Sequence, residues 1–174
     1  MLFNKTIGLQ LDKKQNKIIR RKAVRGIITV NNKILLVLSN KGDYKLPGGG
    51  IEVSENHETA LIREVVEETG YFSIINGDKQ GMIVERYADR FESDAIFEMT
   101  SYYYFCELTG KKSEQNLQGY EMEQNFKATW MQIDEAIRQN EMVSVDKLKN
   151  DWVERETYVL KQIRKLFEKE SEKI

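Results

Sequence analysis

Three glutamates within five residues, Glu64, Glu67 and Glu68, are the part of this 174-residue chain whose types and spacing most directly indicate chemistry. On a helix they fall within an arc of about 100°, so one face would gather three carboxylates within about one turn. Like charges at this spacing cost roughly 0.2–0.5 kcal/mol per pair, and a bridging divalent cation would reverse that cost. The cluster therefore indicates either a site for a cation such as Mg²⁺ or an acidic helix face in water.

A glycine loop lies directly before these carboxylates. Three consecutive glycines at 48–50 follow the chain's single proline, Pro47. Consecutive glycines indicate unusual backbone dihedrals or a close approach of other groups to the backbone. The loop would bring amides and carbonyls to the acidic face, where they could contact phosphate or a metal ion.

The range 56–69 is predicted as the helix that carries the carboxylates, because apolar positions recur there at helical spacing and Gly70 is a typical C-terminal stop. Ser54 and Asn56 are both candidate N-terminal caps. The apolar residues of this helix occupy a separate arc, which would pack on a sheet while the carboxylates stay on another face.

Runs rich in β-branched and aromatic residues flank this helix on both sides. The pair Asn31-Asn32 tolerates positive φ and predicts a β-hairpin over 18–38. Further strands are predicted at 72–75, 82–87, 96–108 and 128–133, with a polar loop at 111–118 and a short helix at 134–140.

The two ends of the chain differ in composition. Residues 1–17 are polar and lysine-rich and are predicted as a basic N-terminal arm or strand. Apolar residues at helical spacing, including Leu148, predict a long amphipathic C-terminal helix over 145–170, which could cap the domain or pair with a second copy as a homodimer. The order of elements predicts a single domain over 1–174 of the α/β (α+β) class.

The composition excludes several kinds of protein. With 27 basic and 28 acidic residues, the chain is not a uniformly basic nucleic-acid coat, so nucleic acid is not an expected partner. One cysteine, Cys106, and one histidine, His57, exclude an internal disulfide and a Cys-rich zinc site. No stretch approaches the roughly 20 apolar residues of a membrane span, and no secretory signal is evident, so we expect a cytoplasmic protein without a membrane partner.

From Gly49 to Tyr71 the sequence resembles the Nudix box, whose pattern is G-x5-E-x7-R-E-U-x-E-E-x-G-U with U a bulky aliphatic residue. A chance match of all seven fixed positions is expected in about one of 200,000 chains of this composition. Tyr71 departs from the aliphatic residue expected at the last position, which we expect to alter packing but not chemistry. The matching fixed residues are Gly49, Glu55, Arg63, Glu64, Glu67, Glu68 and Gly70.

The resemblance implies a hydrolase that cleaves the pyrophosphate linkage of a nucleoside diphosphate derivative or a nucleoside triphosphate. It also implies the Nudix fold, a mixed β-sheet sandwiched between helices, and Mg²⁺ as cofactor with Mn²⁺ as the alternative. The metal ligands would be Glu67 and Glu68, joined by the carbonyl of Gly48 or Gly49, and Glu64 would be a ligand or position the attacking water.

Other members of the box have structural roles by the same resemblance. Glu55 would pair with Arg63, and Gly70 would end the helix. Many relatives add a downstream acid to the site, for which Glu123 is the first choice and Glu121 the second.

Substrate contacts outside the acidic helix are predicted less directly. Arg21 and Arg25 share one face of a strand and could contact phosphate. Tyr44, just before the glycine loop, could stack a base, and Gly49 could approach the substrate through its backbone.

The substrate itself is not determined. ADP-ribose hydrolases of this family tend to carry a proline about 16 residues after the box, and this chain has no proline there. Dinucleoside polyphosphate hydrolases often carry a tyrosine near that position, and Tyr87 lies close to it. Two other functions stay open on the same scaffold: a non-catalytic nucleotide-sensing module, and a diphosphate isomerase, which would need an added cysteine or acid near the site.

Overall fold

The computed structural model describes residues 1–11, 17–146 and 149–171. Residues 12–16 of the predicted N-terminal arm and Leu148 of the predicted C-terminal helix lie outside these ranges. None of the helices in the described ranges combines the length and the hydropathy that a membrane-crossing helix requires.

The described ranges contain nine strands and four helices. The strands are β1 (Phe3–Gly8), β2 (Lys17–Ile27), β3 (Thr29–Val30), β4 (Lys33–Leu38), β5 (Tyr44–Lys45), β6 (Tyr71–Ile75), β7 (Gly81–Ala88), β8 (Ala95–Lys112) and β9 (Lys127–Met131). The helices are α1 (His57–Thr69), α2 (Tyr120–Glu123), α3 (Ile133–Val143) and α4 (Val153–Ser171).

The strands form a larger mixed sheet and a smaller antiparallel one. In the larger sheet the order is β1-β7-β8-β2, with β6 also paired to β8. Strands β1 and β2 run parallel to β7 and β8 respectively, whereas β7 and β6 run antiparallel to β8. The smaller sheet has the order β3-β4-β5, with β9 paired to β4.

Helices cover the sheets on two sides. One core cluster joins the strands to α3 and α4 through buried residues that include Ile137, Leu160 and Ile163. A second cluster joins β2, β4 and β8 to α1 through buried residues that include Leu61 and Val65. Since apolar faces of α1 and α4 pack on different clusters, the predicted mixed sheet between helices is confirmed.

The predicted hairpin over 18–38 is shorter than expected. Asn31 and Asn32 do form its turn, with φ of 50° and 62°, but only β3 and β4 pair across it. Residues Lys17–Ile27 instead pair in parallel with β8 over their whole length. A continuous apolar run does not itself show where a strand leaves one sheet for another, so the prediction merged two strands.

The predicted C-terminal helix begins at Val153 and not at residue 145. Helix α3 continues to Val143, beyond the predicted end at residue 140. Asn150 is buried between them, and its amide donates to Asp43 Oδ1 at 2.8 Å. This tertiary hydrogen bond fixes Asn150 in the segment between α3 and α4, which the apolar periodicity alone had assigned to the C-terminal helix.

Two strand boundaries also differ from the predictions. Strand β8 continues to Lys112, so it takes in the start of the predicted polar loop at 111–118. Strand β9 ends at Met131, and Ile133 already belongs to α3. Boundaries of this kind depend on pairing with distant strands, which local composition does not contain.

Candidate active site and metal centre

The glycine loop is held against strand β2 by backbone hydrogen bonds. The Val24 N–H donates to the Gly49 carbonyl at 3.0 Å, and the Gly26 N–H donates to the Pro47 carbonyl at 2.9 Å. Gly48 has φ of 136°, and a Cβ there would collide with the Val24 carbonyl. A Cβ on Gly49 would collide with the Glu64 carboxylate. These two glycines therefore allow the loop to lie directly between β2 and α1.

Helix α1 begins and ends as its sequence predicts. Asn56 is the N-terminal cap, and its side-chain oxygen accepts from the Thr59 N–H at 2.8 Å. Gly70 ends the helix with φ of 73°, and its N–H donates to the Val66 carbonyl at 2.8 Å. Between these caps, the helix presents Glu64 and Glu68 to the glycine loop.

Three carboxylates converge at this loop. Oxygens of Glu64, Glu68 and Glu121 all lie within 4.8 Å of one another. Glu64 and Glu68 are buried, with exposed fractions of 7% and 0%, while Glu121 of α2 is half-buried. Hard oxygen donors at this spacing fit Mg²⁺ or Mn²⁺ better than a cation that prefers sulfur or imidazole.

Burial raises the pKa values of Glu64 and Glu121. Desolvation first, and the Glu68 charge second, raise the pKa of Glu64 from 4.5 to about 7. Desolvation also raises the pKa of Glu121. Carboxylates that are costly to ionise in the protein alone would be stabilised by a divalent cation, so the electrostatics fit the same donor set.

Two cationic side chains, Lys45 and Arg25, contact the Gly48 carbonyl oxygen beside these carboxylates. Lys45 Nζ donates to Glu68 Oε1 at 2.5 Å and to the Gly48 carbonyl at 3.2 Å. The Arg25 guanidinium donates to that carbonyl as well, and the Gly48 N–H donates to Glu68 Oε2 at 2.8 Å. Gly48 and Glu68 therefore lie side by side, as two ligands of one cation would.

Arg63 orients several carboxylates of α1 and its loop. Its Nε and one terminal nitrogen donate to the two oxygens of Glu55 at 2.7 and 2.8 Å, so the expected Glu55–Arg63 pair is present. Hydrogen bonds from Arg63 lower the pKa of Glu55 to about 2. The other terminal nitrogen donates to Glu64 Oε1 at 2.9 Å and to Glu67 Oε2 at 3.1 Å.

Two of the predicted acids lie outside the group of three. Glu67 is partly exposed and is held by Arg63, so its role as a metal ligand stays a prediction. Glu123, the first choice for the downstream acid, is exposed, whereas Glu121, the second choice, lies beside Glu64 and Glu68; the role of either residue stays a prediction. Residues two apart on a single helical turn point about 200° apart, so only one of the two can face α1.

A cleft of about 550 Å³ has Tyr120, the neighbour of Glu121, in its wall, although none of the three converging carboxylates lines it. Arg25 lines the cleft from β2, and its buried Nε has no hydrogen-bond partner among the described residues. The remaining walls come from β7, β8 and the segment before α4. They include Glu85, Tyr87, Phe91, Phe97, Met99, Trp152 and Arg155.

The floor of the cleft is a buried hydrogen-bonded network that sequence reasoning missed. Arg155 donates to Glu85 Oε2 at 2.6 Å, and the Tyr87 hydroxyl donates to Glu85 Oε1 at 2.6 Å. Glu85 and Tyr87 come from β7, and Arg155 comes from α4, 70 residues after Glu85 in the sequence. No local motif marks these residues. The sequence singles out only Tyr87, by its distance from the Nudix box.

The structure does not place the other predicted contacts in this cleft. Tyr44 is buried in the core under α3, where its backbone N–H donates to Asn140 Oδ1 at 2.7 Å, so its ring is not free to stack a base. Arg21 is exposed on β2 and is not among the residues that line the cleft.

Cys106 packs in the core against α1, where burial raises the pKa of its thiol to about 12.

The sequence profile of the NUDIX domain matches residues 19–153, which is most of the chain and includes the loop, α1 and the cleft walls up to Val153. The chain belongs to the Nudix family. Family membership accounts for the box residues that meet at Gly48 and for the mixed sheet between helices.

Three proteins of known name are similar to parts of this chain. An ADP-ribose pyrophosphatase of Methanocaldococcus jannaschii is 50% identical over 52 residues, and the match spans 28% of this chain and 31% of that curated relative. A NUDIX hydrolase from Nitrosomonas europaea superposes with a TM-score of 0.54 at 20% identity, over 83% of this chain and 91% of that one. An ADP-ribose pyrophosphatase from Streptococcus suis gives a TM-score of 0.44 at 21% identity, over 66% and 75% of the two chains.

Proposed function

We propose that this Nudix protein is a divalent-metal-dependent hydrolase that cleaves the pyrophosphate linkage of a nucleoside diphosphate derivative or a nucleoside triphosphate. The observation that carries the proposal is the convergence of Glu64, Glu68 and Glu121 within 4.8 Å beside the Gly48 carbonyl. Membership of a family of pyrophosphate-cleaving hydrolases supports the same reaction class.

The positions of the residues suggest which of them would bind the metal ion. Glu64, Glu68, Glu121 and the Gly48 carbonyl would hold Mg²⁺ or Mn²⁺, with Glu67 as a further ligand. The metal, when bound, supplies positive charge against the phosphate oxygens and lowers the pKa of a coordinated water.

Orientation of the ligands falls to the side chains of α1. Glu64 has a pKa of about 7 in the protein alone, and a bound metal would lower that pKa, so Glu64 would be held as an ionised ligand. Arg63 fixes the directions of Glu55, Glu64 and Glu67 through its fork of donors.

Substrate recognition belongs to the cleft. Arg25 lines the cleft and also contacts the Gly48 carbonyl, so its guanidinium would bridge the metal centre and a phosphate group in the cleft. Aromatic side chains farther out, Phe97, Tyr120 and Trp152, offer surfaces for a planar base. The cleft volume of about 550 Å³ suits a nucleotide-sized molecule.

A substrate panel with Mg²⁺ and with Mn²⁺ tests the reaction class. ADP-ribose is its first member because of the archaeal relative, and dinucleoside polyphosphates come second because Tyr87 lines the cleft. Nucleoside triphosphates, nucleotide sugars and capped RNA complete the panel. We expect turnover of at least one member that stops on chelation and returns with added metal.

A matched pair of variants on α2 tests the site. Glu121→Gln should lower kcat by at least about 100-fold, whereas Glu123→Gln, the same change at an exposed position of the same helical turn, should leave it within about twofold. Turnover that survives chelation would contradict the proposal. Tight nucleotide binding without turnover across the panel would favour the nucleotide-sensing alternative instead.

A further inference from the structure

Lys45 is a buried lysine directly beside the proposed metal centre, and the Nudix box does not include it. Its side chain is 3% exposed, and that of its partner Glu68 is 0% exposed. The Phe126 ring centroid lies 5.0 Å from Nζ and adds a cation–π contact. Lysines are almost never buried this deeply without a specific pairing, so the contact with Glu68 is a defined part of the site.

We propose that Lys45 is a positioning residue of the metal centre: its ammonium holds Glu68 and the Gly48 carbonyl together in the metal-free protein and leaves them when a divalent cation binds. The inference rests on the proposed function, because it takes Glu68 and the Gly48 carbonyl as metal ligands. It adds a role for a residue on β5, outside the box.

The hydrogen-bond geometry supports an exchange of cations. Lys45 Nζ lies 2.5 Å from Glu68 Oε1 and 3.2 Å from the Gly48 carbonyl, so one ammonium uses lone pairs on both groups. The other Glu68 oxygen accepts from the Gly48 N–H. A metal ion that coordinated Oε1 and this carbonyl would need the same lone pairs and would lie against the ammonium charge.

Charge balance supports the same conclusion. The three converging carboxylates carry a formal charge of −3 when ionised, and Lys45, Arg25 and Arg63 bring three positive charges into direct contact with them or with the Gly48 carbonyl. Arg63 shares its charge with Glu55 and Glu67 as well, so these cations compensate the buried carboxylates only in part. Arg63 also pairs with Glu55, and Arg25 also lines the cleft, so Lys45 is the cation whose contacts coincide with the proposed metal ligands.

Lys45→Met tests the exchange, since methionine keeps most of the side-chain volume and removes the charge. Lys127→Met, at an exposed lysine of β9 in the same sheet, is the matched control. Free Mn²⁺ is measured by electron paramagnetic resonance in the absence of substrate. We expect Lys45→Met to bind Mn²⁺ at least about tenfold more tightly than the wild type and Lys127→Met to bind it within about twofold.

Thermal unfolding is the second measurement on the same variants. Lys45→Met leaves the buried Glu68 without its cation, so its melting temperature without metal should fall below that of the wild type. Its rise in melting temperature with Mn²⁺ should exceed the wild-type rise, because a ligand stabilises the folded state more when its Kd is lower.

Mn²⁺ binding to Lys45→Met that is equal to or weaker than wild-type binding would overturn the inference while leaving the proposed function standing. A wild type that neither binds Mn²⁺ nor turns over any substrate would instead remove the function and the inference together. If Lys45→Met does not fold, a crystal structure of the wild type with Mn²⁺ decides. Lys45 Nζ within 3.5 Å of both Glu68 Oε1 and the Gly48 carbonyl, with metal bound, would overturn the exchange.

Discussion

The loop and helix from Gly48 to Gly70 and the wall formed by β7 and α4 both carry buried charges, but they assemble them over different distances along the chain. In the first region, Glu64 and Glu68 lie one helical turn apart and face a loop that ends a few residues before the helix. In the second, Arg155 reaches Glu85 across 70 residues. Glu156, its neighbour, accepts from the Leu46 N–H across 110 residues at 2.9 Å.

The two regions also differ in charge balance. Arg155 donates to Glu85 at 2.6 Å and to Glu156 at 2.8 and 3.0 Å, so each of these acids is paired with a cation in the protein itself. The carboxylates of Glu64 and Glu121 instead have raised pKa values because burial is poorly compensated. The ion pairs of Arg155 hold packed strands and helices together. A cluster of carboxylates that are costly to ionise is suited instead to binding a cation from solution.

The largest effect should come from Glu68→Gln, which removes a proposed metal ligand from the first region. We expect kcat to fall about 10³-fold, equivalent to roughly 4 kcal/mol of lost transition-state stabilisation. Steady-state kinetics at saturating Mg²⁺ would measure this change, with circular dichroism as the check on folding. A folded Glu68→Gln enzyme that keeps a tenth or more of wild-type kcat would contradict the proposed role of Glu68 as a metal ligand.

In the second region, Arg155→Met should act mainly on stability. It leaves the buried Glu85 and Glu156 unpaired, so we expect the free energy of unfolding to fall by about 3–5 kcal/mol in urea. Arg90→Met is the control, because Arg90 pairs with Asp151 on the surface, where such a pair contributes at most about 1 kcal/mol. Equal losses in the two variants would show that the cleft-floor network is not the structural connection described above.

The pH dependence of stability should separate the regions further. The raised pKa of Glu64, about 7 against 4.5 in the unfolded chain, keeps this group protonated in the folded protein while it ionises in the unfolded one. The metal-free protein should therefore lose about 3 kcal/mol of stability as pH rises from 4.5 to 7. Glu64→Gln should remove most of that slope, measured by urea unfolding at several pH values. An unchanged slope in Glu64→Gln would assign the effect to other groups.

The smallest effect concerns the cap of α1. Asn56→Ala removes the acceptor for the Thr59 N–H, and we expect it to lower the free energy of unfolding by about 1 kcal/mol. Ser54→Ala, the other candidate cap in the sequence, should change it by less than about 0.5 kcal/mol because Ser54 is exposed and lies outside the cap. A larger loss in Ser54→Ala than in Asn56→Ala would contradict the assignment of the cap.

Prediction from sequence succeeded where neighbours in the chain are also neighbours in space. The helix, its stop at Gly70 and the Glu55–Arg63 pair all depend on separations of a few residues, so helical geometry was enough to place them. It ranked Glu123 ahead of Glu121, whereas the structure brings Glu121 to Glu64 and Glu68, because the orientation of α2 depends on contacts that local sequence does not encode. The burial of Tyr44 was not foreseen either, because its position beside the glycine loop does not show that β5 packs under α3.

The sequence by itself determined the family, the acidic helix and the kind of ligand that hard oxygen donors select, because that information lies in one contiguous segment with helical spacing. The tertiary structure decided which carboxylates meet, that Lys45 and Arg25 meet them at the Gly48 carbonyl, and that Glu85 and Arg155 form the floor of the cleft. The physical reason is that these contacts join side chains from different strands and helices. Their distances follow from sheet register and helix packing, which arise only when the whole chain folds.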